Sequence, residues 1–230
     1  MCYKLIQAGD DCTLAVGFEK MAPGSLGIAF PKQTFPLDKH LKNMYSMVEK
    51  TKAPWACQIF GNAGIEHKEK FGTNDIHFAM IGYKNHKHSV NNPYSQFRDE
   101  YTLEQILASP KIHGPLTKLQ CCPTSDGAAA AIVCSEKFMK EHKLEDQAIE
   151  ILGMVVTTDI ETTFNGKSLM AIAGYDMTKA AATKLWAKTG KSPLDVQVCE
   201  LHDCFAANEL ITYGALGLCK DEKTGQFIDK

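Results

Sequence analysis

The chain has 230 residues, of which 44% are hydrophobic and 23% charged, and its net charge at pH 7 is −2. This composition is typical of a folded globular protein of one or two domains and excludes a mainly disordered chain. The nearly balanced charge argues against nucleic acid or an anionic membrane surface as a partner. Because no apolar run approaches the length of a bilayer, we also expect no membrane span.

Nine cysteines are the unusual feature of the composition. Their number is odd, their spacing is irregular, and the N-terminal residues show no secretory signal. We therefore expect reduced thiols in an intracellular compartment. Cys12 and Cys134 lie inside apolar runs, which suggests that most of the nine pack as small apolar side chains.

The first elements are a helix that ends near residues 5–7 and an apolar run at 12–18, which predicts a buried strand of the parallel-sheet type. From 21 to 116 the pattern changes, because this region holds seven of the nine prolines and no β pattern. Its apolar spacing predicts three helices. They span 55–71, closed by Gly72, then roughly 75–90, capped by Thr73 or Asn74, and 102–108.

Strand patterns return after residue 116 and alternate with helices. The predicted elements are a strand from 127 to 134, a helix at 136–142, a strand at 148–156, a helix at 176–189, a strand at 196–201 and a helix at 206–216. The small alanines of the first strand would suit the centre of a layered fold. This alternation predicts an α/β fold with helices packed on sheets, interrupted by a helical, loop-rich insertion.

The strongest candidate site is the segment from Cys199 to Phe205, where a predicted strand runs into a helix. His202 can hydrogen-bond a substrate oxygen or exchange a proton, and Cys204 lies at the helix N-terminus, which favours a thiolate. The alternative is structural: His202 ends the strand and Cys204 packs beneath the helix. A zinc site formed by Cys199, His202 and Cys204, or by Cys121 and Cys122, is a minor alternative, because the ligand spacing is poor.

Three further motifs carry less weight. The Asn85-His-Lys-His88 stretch is interpreted as a solvated basic surface or, less favoured, a patch for a phosphorylated cofactor; its histidines do not share a helix face. The Cys121-Cys-Pro-Thr-Ser-Asp-Gly127 loop is either a ligand contact or a tight turn. The glycines at 24 and 27 lack a nucleotide-binding fingerprint.

Together, several stretches resemble the thiolase family, and within it the peroxisomal sterol-carrier type. The resemblance runs from end to end, and its most specific motifs are Asn-His-Lys-His at 85–88 and His-Asp-Cys-Phe at 202–205. Further matching stretches lie at 5–9, 15–21, 24–28, 89–97, 119–131 and 208–210.

The resemblance implies a thiolase-like layered fold. Residues 1–20 and 117–142 would belong to the N-terminal domain, 21–116 to a helical loop domain over the CoA moiety, and 143–230 to the first part of the C-terminal domain. It implies an acyltransferase that cleaves 3-oxoacyl-CoA into acyl-CoA and acetyl-CoA or propanoyl-CoA. His202 would help to form the oxyanion hole, and Cys204 would act as acid and base. Such enzymes use CoA as co-substrate, with no metal or other cofactor, and are dimers.

Two parts of the family pattern have no match in these residues: the nucleophilic cysteine motif, which would precede residue 5, and the Gly-His-Pro loop, which would follow Lys230. We therefore expect a central fragment or truncated isoform that is inactive alone. The alternative is a non-catalytic product that binds acyl-CoA or pairs with longer subunits. The resemblance also implies a peroxisomal location in fatty-acid and sterol side-chain oxidation, although the last residues are not a peroxisomal signal.

Overall fold

The computed structural model describes residues 1–22, 24 and 32–230. Of the predicted glycine loop at 24–27 and the matching stretch at 24–28, all but Gly24 lies outside the described residues. The helices and strands are α1 (Cys2–Ala8), β1 (Cys12–Glu19), α2 (Asp38–Met47), α3 (Trp55–Phe71), α4 (Asp75–Ser89), α5 (Leu103–Ala108), β2 (Lys111–His113), β3 (Leu116–Thr117), β4 (Gly127–Cys134), α6 (Glu136–Glu141), α7 (Leu169–Ile172), α8 (Tyr175–Thr189), α9 (Ala206–Leu216) and α10 (Thr224–Ile228). Within the described residues, no helix is both long and apolar enough to cross a membrane.

The chain forms two compact units, and the boundaries between them lie near residues 27, 123 and 154. The domain boundaries expected at 20, 116 and 142 remain predictions. In the first unit, Met1–Gly27 with Thr124–Met154, β1 pairs with β4 in an unbroken antiparallel register from Cys12↔Cys134 to Glu19↔Gly127. Both strands were predicted, as were the helix ending near residue 7 and the helix at 136–142.

The burial and direction expected for these strands are wrong. The pairing is antiparallel rather than parallel, and Val16, Phe18 and Ile132 are 61%, 80% and 69% exposed. The alanines of β4 are exposed as well. A pair of strands presents to solvent any face that no other layer covers. Here α1 contacts both strands, and the face that carries Val16 and Phe18 stays exposed.

The second unit, Ile28–Pro123 with Val155–Lys230, contains the helices of the predicted insertion. Gly72 ends α3 in the left-handed region at φ 74°, and the side chain of Asn74 caps α4 by accepting from the Ile76 N–H at 3.1 Å. Thr102 and Gln105 form a reciprocal capping box on α5. These three helices confirm the periodicity and the capping signals of the sequence.

Other predictions, for this unit and for residues 148–156 at its boundary with the first, are wrong. The insertion contains a small hairpin, β2–β3, although no β pattern was expected, because strands of two or three residues are too short to show alternation. The strands predicted at 148–156 and 196–201 are absent as regular elements. In these segments Val156 and Val198 are 84% and 79% exposed, and no neighbouring strand pairs with either segment within the described residues.

The core of the second unit forms where α9 packs against α3, α4 and α8. Phe78, Ile81, Leu210 and Ile211 are at most 2% exposed. The helices approach closely at Gly64 of α3, where a Cβ would lie 2.8 Å from Pro115 Cγ and 3.3 Å from Ala207 Cβ. This packing holds α9, and with it the residues that precede its N-terminus.

Candidate functional site

The predicted site residues His202 and Cys204 lie in a segment without regular structure that leads directly into α9. The backbone of this segment is fixed by residues far away in sequence: the Cys122 N–H donates to the Cys204 carbonyl oxygen at 2.8 Å, and Cys121 forms an antiparallel bridge with Phe205. The Phe205 ring stacks on Phe60 of α3 with centroids 5.1 Å apart.

Asn208, in the first turn of α9, supports the same segment from within the helix. Its Nδ2 donates to the His202 carbonyl oxygen at 2.6 Å and lies 3.8 Å from Cys204 Sγ. His202 is exposed, whereas Cys204 is half-buried. The structure therefore presents both predicted side chains at one end of α9, the imidazole towards solvent and the thiol against the core.

The pKa of the Cys204 thiol is raised to about 12, chiefly by burial and then by the nearby Cys122 and Asp203, although hydrogen bonds from the Phe205 backbone and Asn208 oppose the rise. The expectation of an acidic thiol at the helix N-terminus is therefore wrong, because desolvation of the thiolate outweighs the helix dipole. At neutral pH Cys204 is a protonated thiol and a potential proton donor.

Cys204 has thiol neighbours that come from two other parts of the chain. Cys57 of α3, Cys121 and Cys204 all pack against the same apolar cluster. A hydrogen bond between the Cys57 and Cys121 thiols lowers the pKa of Cys57 and raises that of Cys121. Cys121 Sγ also contacts the Thr117 carbonyl oxygen at 3.3 Å. The pair at 121 and 122 thus supports this site. The tight turn expected in the loop is absent, because residues 122–126 have no turn or regular element.

Two polar residues of this region were not singled out as functional by the sequence. Glu209 of α9 is 1% exposed, and its carboxylate binds Lys84, Asn85 and the Tyr213 hydroxyl. Asn85 Nδ2 also donates to Asp203 Oδ2 at 2.8 Å. The available signal was a carboxylate in the apolar helix α9, because a buried charge requires a partner.

The two histidines of the Asn-His-Lys-His stretch have different surroundings. His86 Nε2 hydrogen-bonds the Leu119 carbonyl oxygen at 2.9 Å, whereas His88 is largely exposed at the end of α4. No group of three or more His, Cys, Asp or Glu side chains is arranged to bind a metal in the described ranges. Neither the predicted zinc alternatives nor a histidine pair therefore forms a metal site there.

Comparison with known proteins gives a consistent family relation. Residues 164–230 match the family model of a thiolase C-terminal domain. The whole chain is 54% identical to sterol carrier protein 2 from Gallus gallus and covers 42% of that protein. Over 99% of the chain, it is 46% identical to non-specific lipid-transfer protein-like 2 from Caenorhabditis elegans, of which it covers 56%. The chain therefore spans about half the length of these curated relatives, or less.

A solved structure with a related fold is the Ltp2-ChsH2(DUF35) aldolase. It superposes with a TM-score of 0.75 over 98% of this chain and 57% of that chain, at 18% sequence identity. At this identity the likeness concerns the fold alone, and with the family match it confirms the predicted thiolase-like α/β class.

Proposed function

The chain belongs to the thiolase family, and we propose that it supplies part of the active site of an acyltransferase that cleaves 3-oxoacyl-CoA with the thiol of CoA. The observation that carries the proposal is geometric: the segment before α9 presents an exposed His202 and a half-buried Cys204 thiol, and Asn208 contacts both residues. The further expectations of acetyl-CoA or propanoyl-CoA as product, a dimeric assembly and a peroxisomal location are part of the same proposal.

The proposed reaction has two steps, each of which needs a proton donor or acceptor. In the first, a thiolate from outside these residues attacks the 3-oxo carbon, and the C2–C3 bond breaks. The carbanion at C2 of the leaving acyl-CoA takes the proton of the Cys204 thiol. In the second, Cys204 thiolate accepts the proton of CoA, whose sulfur attacks the enzyme thioester and releases the shortened acyl-CoA.

The two site residues have properties that support these roles. Cys204 must begin the cycle protonated, and burial raises its pKa well above neutral pH. His202 is exposed, while its backbone oxygen is held by Asn208. We propose that its imidazole contributes to an oxyanion hole for the thioester oxygen, which requires a fixed donor facing the substrate.

A chimera tests the role of Cys204. The segment of the Gallus gallus relative that aligns with this chain is replaced by these 230 residues, and CoA-dependent loss of a 3-oxoacyl-CoA is followed beside the intact relative. We expect thiolysis by the chimera and a loss of about 10²-fold or more in its Cys204→Ala variant, which removes the proton donor. Cys199→Ala is the matched control. Near-normal turnover with Cys204→Ala would remove Cys204 from the mechanism.

The isolated 230-residue chain is expected to show no thiolysis, because none of its nine cysteines matches the nucleophile motif of the family. Purified chain is incubated with 3-oxoacyl-CoA and CoA, and CoA binding is measured by calorimetry in parallel. Turnover without a companion polypeptide would contradict this expectation. Binding without turnover favours the alternative of a non-catalytic acyl-CoA-binding product.

The second candidate function is pairing with a longer subunit of the family. It is favoured by the β1–β4 sheet of the first unit, whose apolar side chains Leu14, Val16 and Phe18 are 62%, 61% and 80% exposed. Light scattering of the purified chain, alone and mixed with a longer relative, would test it. A Phe18→Lys variant should weaken any association, whereas Lys137→Glu, on the exposed surface of the same unit, should not.

A further inference from the structure

Asn85 lies near the C-terminal end of α4, in the Asn-His-Lys-His stretch, and the proposed reaction gives it no role. Its side-chain nitrogen donates to Asp203 Oδ2 at 2.8 Å and to Glu209 Oε2 at 2.7 Å. A primary amide has two N–H donors, and these two carboxylates use both. Asn85 therefore joins Asp203, which directly precedes Cys204, to the buried Glu209 in the first turn of α9.

We propose that Asn85 is a positioning residue for Cys204: its amide holds the Asp203 carboxylate against the buried Glu209 and so fixes the segment that presents the thiol. The catalytic role of the Cys204 thiol rests on the proposed function, whereas the coupling of Asn85 to this thiol does not. Lys84, the preceding residue of α4, pairs with the other oxygen of Glu209, so the end of α4 holds both carboxylates.

The chemistry of an amide suits this place. Asp203 and Glu209 share one neighbour, and a neutral group with two N–H donors can bind both carboxyl groups without adding a charge. An aspartate at position 85 would instead add a third negative charge. A serine would be too short to reach both carboxylates.

The position of the Asp203 carboxylate matters for Cys204 because its negative charge disfavours the thiolate. The groups that face the thiol are Cys121 and Cys122 from the segment after β3 and Asp203 and Asn208 from its own segment. Asp203 is the carboxylate of this set, and the Asn85 amide disperses part of its charge. Without the Asn85 amide, the negative charge of Asp203 is less compensated. That charge then opposes ionisation of the Cys204 thiol more strongly and raises its pKa.

The test measures the alkylation rate of Cys204 by iodoacetamide in the complete 230-residue chain, with each cysteine quantified separately by mass spectrometry. Because the thiolate reacts, a higher pKa slows the reaction at a fixed pH below the pKa: the thiolate fraction falls tenfold for each unit of pKa, and the greater nucleophilicity of the more basic thiolate offsets part of that loss. We expect Asn85→Ala to slow the reaction about three- to tenfold and Asp203→Ala to accelerate it. In the Asp203→Ala background, Asn85→Ala should have no further effect. All variants should keep the same slope of log rate against pH.

His88→Ala is the matched control, because it lies on the same helix and is exposed, and Cys219 serves as the internal reference thiol. A merely structural Asn85 would loosen the segment around the half-buried thiol whether or not Asp203 is present, so the Cys204 rate would stay unchanged or rise in both backgrounds. That result, or slowing that persists without Asp203, would overturn the proposal. If Asn85→Ala does not fold, Asn85→Ser carries the same expectation. The alkylation assay uses no CoA ester. A failure of the coupling between Asn85 and Cys204 is therefore distinguishable from a failure of the proposed thiolysis.

Discussion

Glu209 provides a direct test of how strongly the end of α4 is joined to α9. It is 1% exposed and accepts hydrogen bonds from Lys84, Asn85 and Tyr213. Hydrogen bonds to charged groups contribute about 1.5–3 kcal/mol each, but the half-exposed Lys84 regains water when its partner is lost. We expect Glu209→Gln, which keeps the shape, to lower the free energy of unfolding by about 2 kcal/mol. Glu209→Ala, which leaves buried donors unpaired, should lower it by about 4 kcal/mol.

Tryptophan fluorescence during urea unfolding is a suitable assay, because Trp55 and Trp186 both belong to the same compact unit as Glu209. The signal therefore follows this unit without assuming that the whole chain unfolds in one transition. Glu69→Gln, an exposed glutamate on α3, is the matched control and should change the free energy by less than about 0.5 kcal/mol. Equal unfolding midpoints for Glu209→Gln and Glu69→Gln would refute the reasoning.

Two further predictions concern packing and pH. Gly64→Ala should destabilise the second unit by about 1–3 kcal/mol, because its Cβ would press on Pro115 and Ala207; Gly82→Ala on α4, where the nearest atoms are 3.4 Å away, should be neutral or stabilising in the same urea assay. Burial lowers the pKa of His67 to about 4, below its unfolded value, so stability should fall by about 3 kcal/mol between pH 6.5 and 4. Unfolding midpoints across this range should fall less steeply in His67→Gln, and an unchanged slope would contradict the assignment.

Local signals in the sequence predicted most of the helices, although α2, α7 and α10 were not expected. The apolar period of α3, the glycine after it and the cap of α4 are properties of neighbouring residues, and each appears where expected. The strands at 148–156 and 196–201 were predicted from the same kind of local pattern, yet a strand exists only when a partner pairs with it. The partner is a non-local property, so the pattern alone overestimated the sheet.

The sequence likewise predicted which residues belong to the site, but not the environment that sets their chemistry. His202 and Cys204 stand out as titratable residues before a helix, but the pKa of Cys204 depends on burial that the local sequence does not reveal. Asn85 was visible only as part of a polar stretch. Its contact with Asp203 joins residues 118 positions apart, and no spacing rule predicts such a pair.

These distant contacts also affect how the second unit acquires its structure. The bonds that join α4 to the Cys204 segment and α9 span more than one hundred residues, and the chain must close loops of that length before any of them forms. High sequence separation between contacting residues slows folding. We therefore expect the helices of residues 55–89 to form early and the order around Cys204 to be acquired late in folding.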